Sequence, residues 1–215
     1  MDKKRVLCYG DSNTWRYIAG TACRRKENER WTGVCQNLLG EKYTILEDGL
    51  NGRTTIYDDP TCPYRNGLKG LGYALISQKP LDLVVIMLGT NDYKYTDTSG
   101  VADGIDEIVR TVLNSDSIYR TSNPIFPNSA KVLLMSPIAL PFSSNEDLSL
   151  FSRNSVESNK LPKLCEEIAQ RRGVFFLNAA EYGKASPVDG IHLDAESHYT
   201  LGTAVAKAIQ KIFEY

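Results

Sequence analysis

The chain has 215 residues, 42% of them hydrophobic, and a formal net charge of −1 at pH 7. That length suits one large domain spanning 1–215 better than two, with enough apolar residues for a proper core. The near-neutral balance offers no overall field for nucleic acid or an anionic membrane surface, and no run approaches the roughly 20 apolar residues that span a bilayer.

The N-terminus, Met1-Asp2-Lys3-Lys4-Arg5, leads directly into a short apolar run, Arg5–Tyr9, that reads as a buried strand. No long apolar segment follows the basic residues, which predicts no secretory signal and a cytoplasmic setting. The five cysteines are odd in number and lack a C-x-x-C pair. This argues against a disulfide framework or a zinc knuckle, and Cys8 and Cys165 fall in core-like patterns. After the first strand comes Gly10-Asp11-Ser12-Asn13, then a long loop, Trp15–Arg30. Its basic run Arg24-Arg25-Lys26, followed by Glu27 and Glu29, reads as solvated. A helix is predicted over Trp31–Leu39, stopped by Gly40.

The second strand, Tyr43–Glu47, precedes Asp48-Gly49-Leu50-Asn51-Gly52-Arg53. A helix over Leu68–Gln78 ends before Lys79-Pro80. The third strand, Leu83–Met87, runs into Gly89-Thr90-Asn91-Asp92. Val101–Leu113 places Val101, Ile105, Ile108, Val109, Val112 and Leu113 on one helical stripe. The loop Ser115–Ala130 is long enough to be functional or to meet a partner. The fourth strand is Lys131–Ser136. In the helical stretch Leu148–Arg171, Pro162 either kinks one helix or opens a second. The fifth strand, Val174–Asn178, precedes Asp189-Gly190-Ile191-His192, and a last helix covers Ala195–Phe213. Such alternation gives an α/β fold: a parallel sheet with helices on both faces.

Ser12, Gly52, Asn91 and the pair Asp189 and His192 each follow the carboxyl end of a different strand, where open α/β sheets form their ligand crevice. A serine hydroxyl needs a base to become a nucleophile. His192 is suited to that work near neutral pH, and Asp189, three residues earlier, can fix its tautomer. The Ser12 N–H, the Gly52 N–H and the Asn91 carboxamide can serve as oxyanion donors. Taken singly, each motif is an ordinary turn or cap. Their convergence predicts acyl transfer or hydrolysis with Ser12, His192 and Asp189 as the catalytic set.

Asp189, His192, Asp194 and His198 lack the spacing of a helical zinc pair, so no metal is expected and His198 reads as a helix-surface residue. Neither G-x-G-x-x-G nor the G-x-S-x-G elbow occurs, and no cofactor is called for. Trp15, Tyr93 and Phe142 are placed either to line the mouth of the site or to pack internally.

These blocks resemble those of the SGNH hydrolases, also called GDSL esterases. The family's serine, glycine, asparagine and histidine match Ser12, Gly52, Asn91 and His192, and its acid matches Asp189. Gly10-Asp11-Ser12 with Thr14-Trp15, Arg30-Trp31-Thr32-Gly33, Glu47–Thr55, Asp58-Asp59-Pro60, Leu81–Asp92 and Val188–His192 are similar to the bacterial arylesterase/acyltransferase branch. The resemblance implies a three-layer flavodoxin-like sandwich with strand order 2-1-3-4-5. It also implies hydrolysis of acetyl or short-chain esters, some acyl transfer to alcohols, and a homo-oligomer. Asn13 stands where the family name has leucine. The polar segment Pro141–Asn159 does not look like a channel for long acyl chains. The expected activity is therefore a serine esterase on small-molecule esters. The alternatives are a carbohydrate O-deacetylase, or a binding module that keeps the fold without turnover.

Overall fold

The computed structural model describes residues 3–21, 23–140 and 155–214. Five strands form one sheet: β1 (Lys4–Gly10), β2 (Tyr43–Gly49), β3 (Leu83–Met87), β4 (Val132–Ser136) and β5 (Phe175–Asn178). All neighbouring pairs are parallel and the order is β2-β1-β3-β4-β5, the flavodoxin-like arrangement. The helices that matter here are α1 (Ser12–Trp15), α2 (Trp31–Leu39), α3 (Gly67–Gln78), α4 (Thr98–Leu113), α5 (Ser115–Tyr119), α6 (Leu161–Arg172) and α7 (Ala195–Glu214).

Successive strand residues point to opposite faces, and the core divides accordingly. Leu7, Tyr9, Val84, Ile86 and Leu134 join one cluster with α3, α4 and α6. Val6, Cys8, Val85, Met87, Leu133 and Met135 join another, with Trp31 and Cys35 of α2 and Leu201, Val205 and Ile209 of α7. Both faces are sealed along β3 and β4 and from Val6 onward in β1. The edges differ: β2 is partly exposed along its whole length, and Phe175 of β5 is 39% exposed. An edge strand has a neighbour on one side only, so an apolar run does not guarantee full cover there.

Local chemistry sets the helix limits. The Asp97 side chain accepts from Gly100 N at 3.0 Å, starting α4 three residues ahead of its apolar stripe. Asn66 caps α3 in the same way. Pro162 lies in the first turn of α6, so it opens a helix rather than kinking a longer one. The stretch 155–160 is turn and 3₁₀ helix, and 148–154 lie outside the described residues. The predicted loop Ser115–Ala130 contains the short helix α5, which is too polar to leave an apolar stripe. All five cysteines are free. No helix among the described residues is long and apolar enough to cross a membrane.

Candidate active site

Ser12 is the first residue of a four-residue helix at the end of β1, where backbone N–H groups have no helical partner. The Asp11 carboxylate accepts from Asn13 N at 2.8 Å and holds this turn. Helix α1 lies directly on the end of β2. A Cβ at Gly49 would sit 2.1 Å from Trp15 N, so only glycine allows that approach.

His192 arrives from the other end of the chain. Asp189 Oδ1 accepts from the backbone N–H groups of Ile191 and His192 at 2.9 and 3.0 Å, curling the loop around the carboxylate. Asp189 Oδ2 is 2.6 Å from His192 Nδ1, and His192 Nε2 is 2.9 Å from Ser12 Oγ. A carboxylate can only accept, so the proton belongs on Nδ1, leaving Nε2 to take the serine hydrogen. Burial pushes the Asp189 carboxyl upward, but the hydrogen bonds from His192 and Ile191 outweigh it and hold the group below its ordinary range. It is therefore ionised at neutral pH.

Two further contacts fix the imidazole, and sequence reasoning missed both. Asn13 Nδ2 donates to Ile191 O at 3.3 Å, while Asn13 Oδ1 accepts from Leu193 N at 2.8 Å. One side chain thus grips the chain on both sides of His192. The Tyr17 ring packs against the His192 ring with centroids 4.6 Å apart.

Gly52 has φ +78°, a left-handed conformation that favours glycine. Asn91 is buried in a 3₁₀ turn, Thr90–Lys94, at the end of β3, and its Nδ2 donates to Arg53 O at 3.1 Å. That bond joins the Asn91 turn to the Gly52 loop. The Arg53 guanidinium donates to Gly10 O at 2.9 Å, Asp48 O at 2.6 Å and Asp48 Oδ1 at 2.7 Å, tying together the ends of β1 and β2. Behind them, buried Asp92 accepts from Thr55 N at 3.0 Å and from the Thr55 hydroxyl. Burial lifts the Asp92 carboxyl to about 7, against the Thr55 hydrogen bonds and with help from the Asp11 carboxylate.

Three expectations are corrected. Tyr93 does not line the mouth: it is 1% exposed in the core, its hydroxyl 3.2 Å from Thr98 Oγ1. His198 is not a surface residue. It is fully buried, and that burial pushes its imidazole well below the usual range. The basic run is only partly solvated: Arg24 pairs with Glu47 and lies 5.0 Å over the Trp15 ring, and Arg25 is half-buried. Trp15 is half-buried under that guanidinium. Phe142 lies outside the described residues. Among the described residues no three His, Cys, Asp or Glu side chains gather as a metal-binding group.

The arrangement is a hydroxyl joined to an imidazole joined to a carboxylate, with the Gly52 and Asn91 segments following the neighbouring strands β2 and β3. The same fold carries ester chemistry elsewhere. The aryl esterase of M. smegmatis superposes with a TM-score of 0.88 at 34% identity, over 97% of this chain and 99% of that one. A carbohydrate acetylesterase from Sinorhizobium meliloti does so with a TM-score of 0.88 at 36% identity, over 98% and 100%. A second carbohydrate acetylesterase family member from Sinorhizobium meliloti gives 0.89 at 33% identity, over 99% and 100%. No curated protein matches the chain significantly in sequence. The model of the GDSL-like lipase/acylhydrolase family matches residues 8–199, so the chain belongs to that family and is a carboxylic ester hydrolase.

Proposed function

We propose that the chain removes small acyl groups, acetyl foremost, through an acyl-serine intermediate. Ser12 Oγ attacks the ester carbonyl carbon while His192 Nε2 takes its proton, and Asp189 stabilises the resulting imidazolium. The Ser12 N–H, the Gly52 N–H and the Asn91 carboxamide receive the oxyanion. Collapse of the tetrahedral species expels the alcohol, which takes the proton from His192. Water then attacks the acyl carbon as His192 takes its proton, and collapse of the second tetrahedral species breaks the bond to Ser12 Oγ, which recovers the proton from His192 as the carboxylic acid leaves. An alcohol in place of water would give acyl transfer. The observation that carries this reading is the unbroken chain Ser12 Oγ, His192 Nε2, His192 Nδ1, Asp189 Oδ2, with spacings of 2.9 and 2.6 Å.

A second reading, removal of acetyl groups from carbohydrates, is favoured by the two Sinorhizobium meliloti relatives described as carbohydrate acetylesterases. It uses the same residues, and competition between p-nitrophenyl acetate and acetylated xylo-oligosaccharides separates the two. Within the same proposal the protein works in a reducing cytoplasm, a setting that suits its five free cysteines. Ser12→Ala tests the mechanism. Turnover of p-nitrophenyl acetate should fall on the order of 10⁶-fold with an unchanged melting temperature. Retention of wild-type turnover would remove Ser12 from the nucleophile's role.

A further inference from the structure

The Asn91 carboxamide is held at both ends. Its Nδ2 donates to Arg53 O at 3.1 Å, and its Oδ1 accepts from the Lys94 ammonium, also at 3.1 Å. Lys94 is the last residue of the same 3₁₀ turn, three positions after Asn91, and is half-buried. The two ends of a carboxamide are nearly identical in shape, so sterics alone do not decide which faces where. Charge decides it here. A flipped amide would set Oδ1 against the Arg53 carbonyl oxygen and the NH₂ group against an ammonium, two repulsions in place of two bonds. In the observed orientation one Nδ2 hydrogen is committed to Arg53, and the oxyanion role proposed for Asn91 draws on the other. A cation on Oδ1 also draws electron density out of the amide, which makes that remaining N–H a stronger donor.

We propose that Lys94 is a positioning residue for ester cleavage: its ammonium fixes the Asn91 carboxamide and polarises it toward the developing oxyanion. The inference rests on the oxyanion role proposed for Asn91. Burial lowers the Lys94 ammonium from its ordinary value, and Arg65, from the segment before α3, lowers it further. Asp59 of that segment, Asp11 before α1 and Asp92 of the same turn oppose the shift. The aid from Lys94 should therefore be lost on an alkaline limb lying below the pH at which a free lysine titrates.

The test is kcat and KM for p-nitrophenyl acetate across neutral to alkaline pH in the wild type, Lys94→Met and Lys94→Arg. Lys94→Met should lower kcat by roughly 10- to 100-fold, up to the loss of one oxyanion donor. Its KM should stay within about twofold, as for an interaction made only in the transition state. Lys94→Arg should recover most of kcat and lose the alkaline limb, because a guanidinium stays charged. In an Asn91→Ala background Lys94→Met should cost almost nothing more, because the lysine acts through that amide. Wild-type kcat in Lys94→Met, an unchanged limb in Lys94→Arg, or a full additive loss in the double variant would each overturn the proposal. Should Lys94→Met fail to fold, the pH profile of Lys94→Arg still decides. If Ser12→Ala is fully active, the parent mechanism has failed instead.

Discussion

Asn13 shows how much one side chain beside Ser12, the proposed nucleophile, can do. It stands where the family name has leucine, and nothing in local spacing indicates a role for it. Its partners, Ile191 O and Leu193 N, are supplied by a segment near the far end of the chain. Only folding brings them together, so the residue was silent in the sequence, whereas Ser12, His192 and Asp189, singled out by their chemistry, are the side chains the fold places in contact. Leucine at this 3%-exposed position would strand the Leu193 N–H without its acceptor and free the loop that carries His192. Asn13→Leu should destabilise the fold by about 1–3 kcal/mol, the cost of an unsatisfied buried donor. It should also lower kcat at least tenfold, since small misplacements of a catalytic group are costly. Denaturant melts and p-nitrophenyl acetate kinetics check both, and a variant as stable and as fast as the wild type would show that the grip on His192 is idle. His198 is a different kind of miss. It lies three and seven residues before Leu201 and Val205, on the apolar stripe of α7, so helical spacing did carry the signal of its burial.

At the scale of elements, the sheet was the most legible part because buried strands are written as apolar runs. The segments that follow those strands were less so, since their structure depends on polar contacts with other loops. Asp92 is the clearest case. It reads as one more turn residue, yet it is buried and accepts from Thr55 N and the Thr55 hydroxyl, joining the β3 turn to the loop after β2. Its carboxyl is raised from 3.8 to about 7. A raised acid binds its proton more tightly in the folded state than in the unfolded one. Its contribution to stability is thus fully present below the unfolded value and is lost as pH rises through about 7. Asp11, also raised chiefly by burial, acts in the same direction. Asp92→Asn keeps an acceptor for Thr55 and removes the titration. The melting temperature of Asp92→Asn minus that of the wild type should therefore rise steadily from pH 5 to pH 8. A difference that stays flat across that window would show that Asp92 titrates in its ordinary range.

The whole molecule works by bringing the two ends of the chain together. Strand-helix alternation made the parallel sheet readable, whereas the order 2-1-3-4-5 came through resemblance. What neither supplied is how closely the first long helix and the last one meet. Helices α2 and α7 cover the same sheet face as the Val6 and Cys8 cluster, and α7 begins three residues after His192. At Gly202 their backbones nearly touch. A Cβ there would lie 2.6 Å from Trp31 O and 2.8 Å from Val34 Cβ. A backbone oxygen in a packed helix cannot swing aside, so Gly202→Ala must push α7 outward. Overpacking of this kind costs about 1–3 kcal/mol, which for a chain of this size lowers the melting temperature by roughly 2–10 °C. The same displacement pulls on the segment that ends at His192 and lengthens its reach to Ser12. The folded fraction of Gly202→Ala should accordingly lose kcat by tenfold or more, with KM nearly unchanged. Thermal melts and steady-state kinetics at a temperature below both transitions separate the two effects. A variant that loses stability but keeps full kcat would show that the His192 loop is set by Asn13 and Asp189 alone, independent of where α7 lies.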